Sequence, residues 1–228
     1  WPVVRPCGVI SSGFLKNVWP NRAMAVSWAM VEIGILILAA GKSSRMRGED
    51  KLTQKIDGVE QIKRIASSAC ASCSSVVITL PDAAHPRASY LLDLDLTIVS
   101  VPEAHLGMGR SIAAGISMLA SKNLDGAMIV PADMPEITQN DLDAVTNAFF
   151  ASSHSIVQAS TAQGQAGHPV IFPKSVFHDL ETLSGDRGAQ AVIQAHSHLH
   201  RLVELPHLNA STDLDTPEDW QEWRSKPK

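Results

Sequence analysis

Short apolar runs alternate along this chain with segments of helical character, and this alternation limits the fold more than any other feature. Strands are predicted over residues 31–38, 75–80, 96–101 and 126–130, and two further β-rich runs, 155–159 and 170–172, bracket a loop rich in Gly and Gln. Helices are predicted over residues 61–71, 111–120, 141–150, 187–195 and 217–224, with Thr138 as a candidate N-cap of the third. Strands that alternate with helices predict a three-layer α/β architecture with a mainly parallel sheet.

The first thirty residues differ in character from the rest of the chain. They contain three Trp and three Pro without a clear period, and we interpret residues 1–30 as a leader that is disordered or not native. The alternative is a signal peptide or membrane anchor over the nearly apolar residues 23–41. Glu32 argues against that alternative because a charge is costly in lipid. We therefore expect one domain over residues 31–226, a cytoplasmic location and no stable membrane association.

Charge and cysteine content narrow the function classes. With a net charge of −4, the chain as a whole is not expected to bind polyanions such as nucleic acid. Any phosphate-binding site must therefore depend on a local group of positive charges. Three cysteines, an odd number, argue against a disulfide framework. Cys70 and Cys73 form a lone CxxC in a helical stretch, where two ordinary helix cysteines are favoured over a zinc or redox site.

The stretch LILAAGKSSRMRGEDK, residues 36–51, follows the first predicted strand with a small-residue turn and a cluster of positive charge. In an open parallel sheet, ligands bind at the carboxyl ends of the strands. Small residues there let backbone N–H groups approach phosphate oxygens, and Arg45 and Lys51 add full charges within one short loop. The stretch is neither a Walker A loop nor a GxGxxG motif. Its spacing predicts a polyphosphate site, and an ordinary turn with solvated charges is the alternative.

The same stretch resembles the LAAGxSxRMGxxK signature of the MobA-like nucleotidyltransferases, and within that family it is most similar to the molybdenum cofactor cytidylyltransferase branch. One departure is Arg47-Gly48, where the family has Gly directly after Met. The resemblance covers residues 33–224 and implies a three-layer αβα Rossmann-like nucleotidyltransferase fold with a mainly parallel mixed sheet. It also implies that the nucleotide is bound by Leu38, Ala39, Ala40, Gly41, Arg45, Lys51, Pro81 and Ser111. For Ser111, which would contact the base, a helix N-cap is the alternative interpretation.

Two acidic segments, VPADMP (130–135) and TDLDTPEDW (212–220), resemble the metal-binding motifs of the family. The resemblance implies Mg²⁺ as cofactor and Asp133 and Asp215 as its ligands, with Asp213 a weaker candidate. Mg²⁺ is commonly bound by one or two carboxylates plus phosphate oxygens. Each segment also has a structural interpretation, a turn beside proline for Asp133 and a helix start for residues 216–219.

The segments GQAGHPVIF (164–172) and LSGDRGAQ (183–190) resemble the GHPVLF and GDxGAR motifs of the cytidylyltransferase branch. They imply that a pterin-phosphate substrate is contacted by Gly167, His168, Pro169, Gly185, Asp186, Arg187 and Gly188. A lone histidine such as His168 is otherwise structural or solvated. The histidines at 196, 198 and 200 are expected at a polar helix end, because their alternating spacing places them on different helix faces.

Together these motifs imply a Mg²⁺-dependent transfer of CMP from CTP to molybdopterin or the molybdenum cofactor, with release of pyrophosphate. Arg45, Lys51 and Asp133 would carry catalysis by positioning the triphosphate and neutralising its charge. A molybdenum hydroxylase is the candidate recipient of the product. Ala40 favours cytosine, since GTP-using members have a second glycine there. The alternatives are a GTP-using guanylyltransferase, a sugar-phosphate nucleotidyltransferase and a non-catalytic carrier of the cofactor.

Overall fold

The computed structural model describes residues 31–186 and 188–225. The leader predicted over residues 1–30 and the substrate contact predicted for Arg187 lie outside the described residues. The single domain expected over residues 31–226 stays a prediction. Among the described residues, no helix is both long enough and apolar enough to cross a bilayer.

The fold is built from nine strands and six helices in the described part of the chain. The strands are β1 Ile33–Leu38, β2 Lys55–Ile56, β3 Val59–Glu60, β4 Val76–Leu80, β5 Thr97–Ser100, β6 Gly126–Pro131, β7 Ile156–Ser160, β8 Ala166–Pro173 and β9 His200–Glu204. The helices are α1 Gln61–Ser72, α2 Met108–Ala120, α3 Gln139–Phe150, α4 Phe177–Glu181, α5 Gln190–Ala195 and α6 Pro217–Ser225.

Seven strands form one sheet in the order β5-β4-β1-β6-β8-β7-β9, and β2 and β3 form a separate hairpin. The pairs β5–β4, β4–β1, β1–β6 and β7–β9 are parallel, whereas β8 is antiparallel to both of its neighbours. The sheet is therefore mixed and mainly parallel, as predicted. Because β1, β4 and β6 run in the same direction, their carboxyl ends meet at one edge, where a ligand site is expected.

Alternating side chains of β1 divide the core between the two faces of the sheet. Ile35 and Ile37 join the cluster that packs against α1 and α3, and Leu36 joins the cluster that packs against α2. All three are fully buried. Burial on both faces explains why β1 is a continuous apolar run rather than an alternating one, and it confirms the three-layer architecture.

The ends of the helices and the last strand agree only in part with the sequence predictions. The third helix is capped as predicted, with a reciprocal capping box between Thr138 and Asp141. The helix predicted over 187–195 is α5, which begins at Gln190. His200 ends a short 3₁₀ helix, Ser197–Leu199, and also begins β9, an edge strand that was not predicted and that pairs with β7. Its largely exposed residues show none of the apolar enrichment on which strand prediction relies.

A third, smaller cluster connects the loop after β1 to the last helix. Met46 packs in it with Ile56, Leu214, Trp220 and Trp223. The C-terminal helix thereby supports the loop in which the polyphosphate site was predicted. Cys70 and Cys73 lie in and just after α1, where burial raises the pKa of both thiols and disfavours the reactive thiolate form.

Candidate active site

The loop after β1 is shaped by two residues in the left-handed region of backbone space. Ser43 has φ 49° and Arg47 has φ 55°, and Gly48 continues the turn with φ 97°. Arg47 points to the surface and pairs with Glu218 at the start of α6, at 2.6 Å. The departure from the family signature at Arg47-Gly48 is therefore accommodated as a left-handed turn tied to the last helix.

Lys51 lies between two carboxylates at the carboxyl edge of the sheet. Its Nζ donates hydrogen bonds to Asp133 and to Oδ1 of Asp215, the latter at 2.6 Å. Arg45 reaches the same carboxylate, with 2.8 Å between its Nη1 and Oδ2 of Asp215. The structure thus brings together four of the predicted site residues, which come from three separate stretches of the chain.

The charges of this cluster are unequally exposed. The side chain of Lys51 is 14% exposed, whereas that of Arg45 is 69% exposed. Burial by itself lowers the pKa of Lys51, but the charge of Asp133 and the hydrogen bonds to both carboxylates outweigh it, so that the pKa lies above its ordinary value. Burial raises the pKa of Asp213, and the nearby carboxylates of Asp215 and Asp133 raise it further.

The carboxylates fit a divalent metal ion. Asp133 and Asp215 already share one cation, the Lys51 ammonium group, and Asp213 lies close enough for their charges to act on it. All are oxygen donors, which Mg²⁺ prefers, and a pair of carboxylates leaves the remaining positions to water and phosphate oxygens. Over residues 31–186 and 188–225, no group of three or more His, Cys, Asp or Glu side chains is arranged to hold a metal by itself.

A first cavity of about 500 Å³ opens beside this cluster. Nine residues predicted for the nucleotide or the metal line it: Leu38, Ala39, Ala40, Gly41, Arg45, Lys51, Ser111, Asp133 and Asp215. Asp213, the weaker metal candidate, also lines this cavity. Eight residues without a predicted nucleotide or metal role complete the lining: Lys42, Leu52, Ala104, His105, Gly107, Met108, Pro131 and Asp186. Ser111 lies within α2 rather than at its N-cap, which is Gly107.

A second cavity of about 510 Å³ adjoins the first, and Leu38, Met108 and Asp186 line both. One side is apolar and includes Ile112, Ile129, Val170, Phe172 and Ile193. The polar lining consists mainly of amide and imidazole side chains: Gln158, Gln190, Gln194, His168 and His200. Gly167 and Gly188, both predicted substrate contacts, also line this cavity.

Close backbone contact joins the walls of the two cavities. Gly107, with φ 123°, lies so close to Gly185 that an added Cβ would come within 2.3 Å of its carbonyl carbon. The N–H of Gly109 donates to the carbonyl of Gly185 at 3.0 Å. Only glycine fits at position 107, and its contact with Gly185 holds the turn that carries Asp186 against the start of α2.

Gly167 is held by backbone packing as well. An added Cβ would lie 1.8 Å from the carbonyl oxygen of Ala210, and that oxygen accepts from the N–H of His168 at 2.8 Å. The carbonyl of Gly167 accepts from Nε2 of Gln158 at 2.9 Å. These contacts direct His168 into the second cavity, where burial lowers its pKa and favours the neutral ring.

Among the described residues, three predicted contacts do not line either cavity. Pro81 follows β4, Pro169 lies next to His168, and Gly185 contributes its backbone to the contact with Gly107. Sequence reasoning also missed Gln158 and His200, which are joined by a hydrogen bond of 2.9 Å. The one available signal for Gln158 was a polar residue inside the apolar run of β7.

Comparison with known proteins identifies the family. The model of the MobA-like NTP transferase domain matches residues 35–201. The purine catabolism protein PucB of Bacillus subtilis is 25% identical over 82% of this chain and 93% of its own length. A probable molybdenum cofactor guanylyltransferase of Rhodopirellula baltica is 23% identical over 82% of this chain and 92% of its own length.

Solved structures share the fold. The crystal structure of Rv0371c from Mycobacterium tuberculosis H37Rv superimposes with a TM-score of 0.73, at 21% identity, over 86% of this chain and 99% of that one. A complex of Rv0371c with manganese superimposes with a TM-score of 0.67, at 22% identity, over 86% of this chain and 100% of that one. With the family match over most of the chain, the described geometry leads to one conclusion: the chain belongs to the MobA-like NTP transferase family and is a nucleotidyltransferase.

Proposed function

We propose that this protein is a Mg²⁺-dependent cytidylyltransferase that transfers CMP from CTP to a molybdopterin-type acceptor and releases pyrophosphate. The observation that carries the proposal is the pairing of two adjacent cavities. One contains the charged cluster of Lys51, Arg45, Asp133 and Asp215, and the other is largely apolar with neutral polar groups. A triphosphate suits the first cavity and a flat heteroaromatic acceptor suits the second.

The charged residues of the first cavity have separate tasks in this reaction. A phosphate oxygen of the acceptor attacks the α-phosphorus of CTP, and pyrophosphate leaves from the opposite side. Lys51 and Arg45 can exchange their carboxylate partners for phosphate oxygens and thereby neutralise the triphosphate. Asp133 and Asp215 would hold Mg²⁺, which supplies further neutralisation of phosphate charge. No nucleophilic side chain is needed, because positioning and electrostatics account for most of the catalysis.

The lining of the second cavity favours a pterin over a sugar phosphate as acceptor. Its described lining residues include no Lys or Arg that could bind a phosphate, and much of its wall is apolar, which suits a flat ring better than a sugar. Neutral His168 and the amide of Gln158 instead offer both donors and acceptors for the edge of a heterocycle. The acceptor phosphate is then expected in the first cavity, beside Lys51 and Arg45.

The choice of base rests on Ala40, which is 5% exposed and lines the first cavity. Alanine at this position favours cytosine by the resemblance described above. A specific observation supports GTP as the second candidate, because relatives from Rhodopirellula and Shewanella are named molybdenum cofactor guanylyltransferases. In the alternative of a non-catalytic carrier, the metal carboxylates would have no task, yet Asp133 and Asp215 are both present and share one cation.

The test is pyrophosphate release from each of CTP, GTP, ATP and UTP in the presence of Mg²⁺ and molybdopterin, with and without molybdenum. Release with CTP is expected, and release with GTP alone would retain the reaction but reject the base. Release only with sugar phosphates as acceptors would reject the pterin, and no release with any acceptor would favour the carrier. Asp133→Asn should abolish release while the exposed Asp95→Asn, with the same chemical change, should not.

A further inference from the structure

A buried arginine outside the predicted site reaches the loop after β1. Arg87 lies in a short 3₁₀ helix, Pro86–Leu91, that follows β4, and it is only 2% exposed. Its guanidinium group forms a bidentate pair with Asp50, from Nε to Oδ2 and from Nη2 to Oδ1, both at 2.7 Å. The remaining donors reach the carbonyl of Ala39 at 2.5 Å and the hydroxyl of Ser43 at 3.2 Å.

These contacts tie together the two ends of the loop. Ala39 and Ser43 lie at its beginning, whereas Asp50 directly precedes Lys51. The hydroxyl of Ser43 donates to Oδ1 of Asp50 at 3.1 Å and accepts from the backbone N–H of Lys51 at 3.3 Å. One guanidinium group thus holds both ends of a loop that contains two left-handed residues, and left-handed non-glycine residues persist only where their surroundings hold them.

The energetics of this pair favour a role in geometry over a role in stability. Burying an arginine and a carboxylate together is costly, and apolar replacements of such pairs are often neutral or stabilising. Burial raises the pKa of Asp50, but the hydrogen bonds and charge of Arg87 outweigh it and hold the pKa below its ordinary value. The charged form of Asp50 is therefore favoured, and the planar fork of Arg87 fixes direction as well as distance.

We infer that Arg87 is a positioning residue for the polyphosphate: through Asp50 and Ser43 it sets where Lys51 and the backbone N–H groups of the loop stand. The inference rests on the proposed use of this loop for the nucleotide triphosphate. Arg87 does not line the first cavity and so acts without touching the ligand. A misplacement of about 1 Å can lower activity on the order of 100-fold, and displaced donors also bind phosphate less tightly.

The test uses inorganic tripolyphosphate with Mg²⁺ as the probe, so that neither the base nor the acceptor enters the measurement. The double variant Arg87→Met/Asp50→Asn removes both charges, and Asn can still cap the N–H of Leu52. Its matched control is Lys63→Met/Asp93→Asn, an exposed pair at 2.8 Å between α1 and the residues just after the same 3₁₀ helix. Calorimetric affinity, melting temperature and the KM for the acceptor are measured for each.

We expect the Arg87 double variant to melt near the wild-type temperature and to keep its KM for the acceptor, while its affinity for tripolyphosphate falls on the order of 10- to 100-fold. The control pair should leave all three unchanged. Wild-type affinity for tripolyphosphate in the double variant would overturn the inference. An equally large rise in the KM for the acceptor would also overturn it, because such a rise would indicate a general structural role.

Arg87→Lys provides a second, independent variant that keeps the charge and loses the fork. We expect it to lower tripolyphosphate affinity as well, and unchanged affinity would overturn the inference even if the double variant fails to fold. If wild-type protein binds tripolyphosphate but no CTP or GTP, the proposed function fails and the role of Arg87 stands. If it binds no tripolyphosphate, both fail.

Discussion

Nζ of Lys51 lies 2.6 Å from Oδ1 of Asp215, although 164 positions separate the two residues along the chain. The same ammonium group also bonds to Asp133, so one cation balances two carboxylates. The ammonium group of Lys51 therefore supplies a positive charge to the two carboxylates that would also bind a divalent metal. Substitution of Lys51 and addition of metal should both change the charge balance at Asp133 and Asp215.

The first prediction concerns Lys51→Met. In the presence of EDTA this variant should lose about 1–3 kcal/mol of unfolding free energy, because two partly buried carboxylates lose their shared donor. Added Mg²⁺ should raise the melting temperature of the variant more than that of the wild type, since the ion can supply the missing charge. Thermal melting with and without Mg²⁺ measures both effects.

Lys55→Met is the matched control for that experiment, since the Lys55 side chain is 62% exposed and pairs with Glu60 at 3.3 Å. Its melting temperature should be close to wild type under both conditions. Equal responses of the two variants to Mg²⁺ would contradict the view that Lys51 and the metal share one pair of carboxylates.

A second prediction separates Arg45 from Lys51. Because Arg45 is 69% exposed, its pair with Asp215 should contribute less than about 1 kcal/mol to stability. Arg45→Ala should nevertheless lower kcat/KM for the nucleotide on the order of 100-fold, as expected when one donor to a developing phosphate charge is removed. Steady-state kinetics and denaturant melts measure the two quantities, and Arg47→Ala, which removes an exposed arginine paired with Glu218, is the control.

Ala40 is the subject of the third prediction. Replacing it by glycine should raise kcat/KM for GTP relative to CTP by about 10-fold or more, because removal of the methyl group makes room for the larger base. Ala39→Gly is the control, since Ala39 is also buried and lines the same cavity. An unchanged ratio in Ala40→Gly would show that the base is selected elsewhere.

The fourth prediction follows from the lowered pKa of His168. Above the ordinary histidine pKa of 6.5 both the folded and unfolded states are neutral, and His168 adds no pH dependence. Below it the unfolded state takes up the proton more readily, so stability should fall as the pH falls. His168→Gln should reduce this loss between about pH 7.5 and 5.5, whereas His154→Gln, at an exposed position, should not. Identical slopes for the three proteins would contradict the prediction.

Gly107 gives the fifth prediction. Gly107→Ala combines a strained φ of 123° with a collision at Gly185, and it should weaken binding in both cavities. Gly164→Ala is the control for strain alone, because Gly164 has φ 79° but open space around its Cα, and it should cost only about 1–3 kcal/mol of stability. Measuring nucleotide and acceptor binding by each variant distinguishes backbone strain from the collision with Gly185. Wild-type binding by Gly107→Ala would contradict the role of the Gly107–Gly185 contact.

The sequence alone predicted the central strands and the position of the loop after β1. Strands buried on both faces are continuous apolar runs, so β1, β4 and β6 carry a strong local signal. The strand β9 carries little of this signal, because three of its five residues are polar and most of its side chains are exposed. The mainly parallel sheet could therefore be inferred, whereas its full width could not.

For the site, local spacing indicated a phosphate loop, and resemblance supplied the distant carboxylates. Only the tertiary structure decided that Lys51 stands between Asp133 and Asp215, that Arg87 holds the loop through Asp50, and that Gln158 bonds to His200 in the second cavity. The physical reason is common to all three. Periodicity and turn chemistry record how a residue relates to its near neighbours, whereas a hydrogen bond between residues far apart in sequence depends on how the sheet brings separate strand ends together.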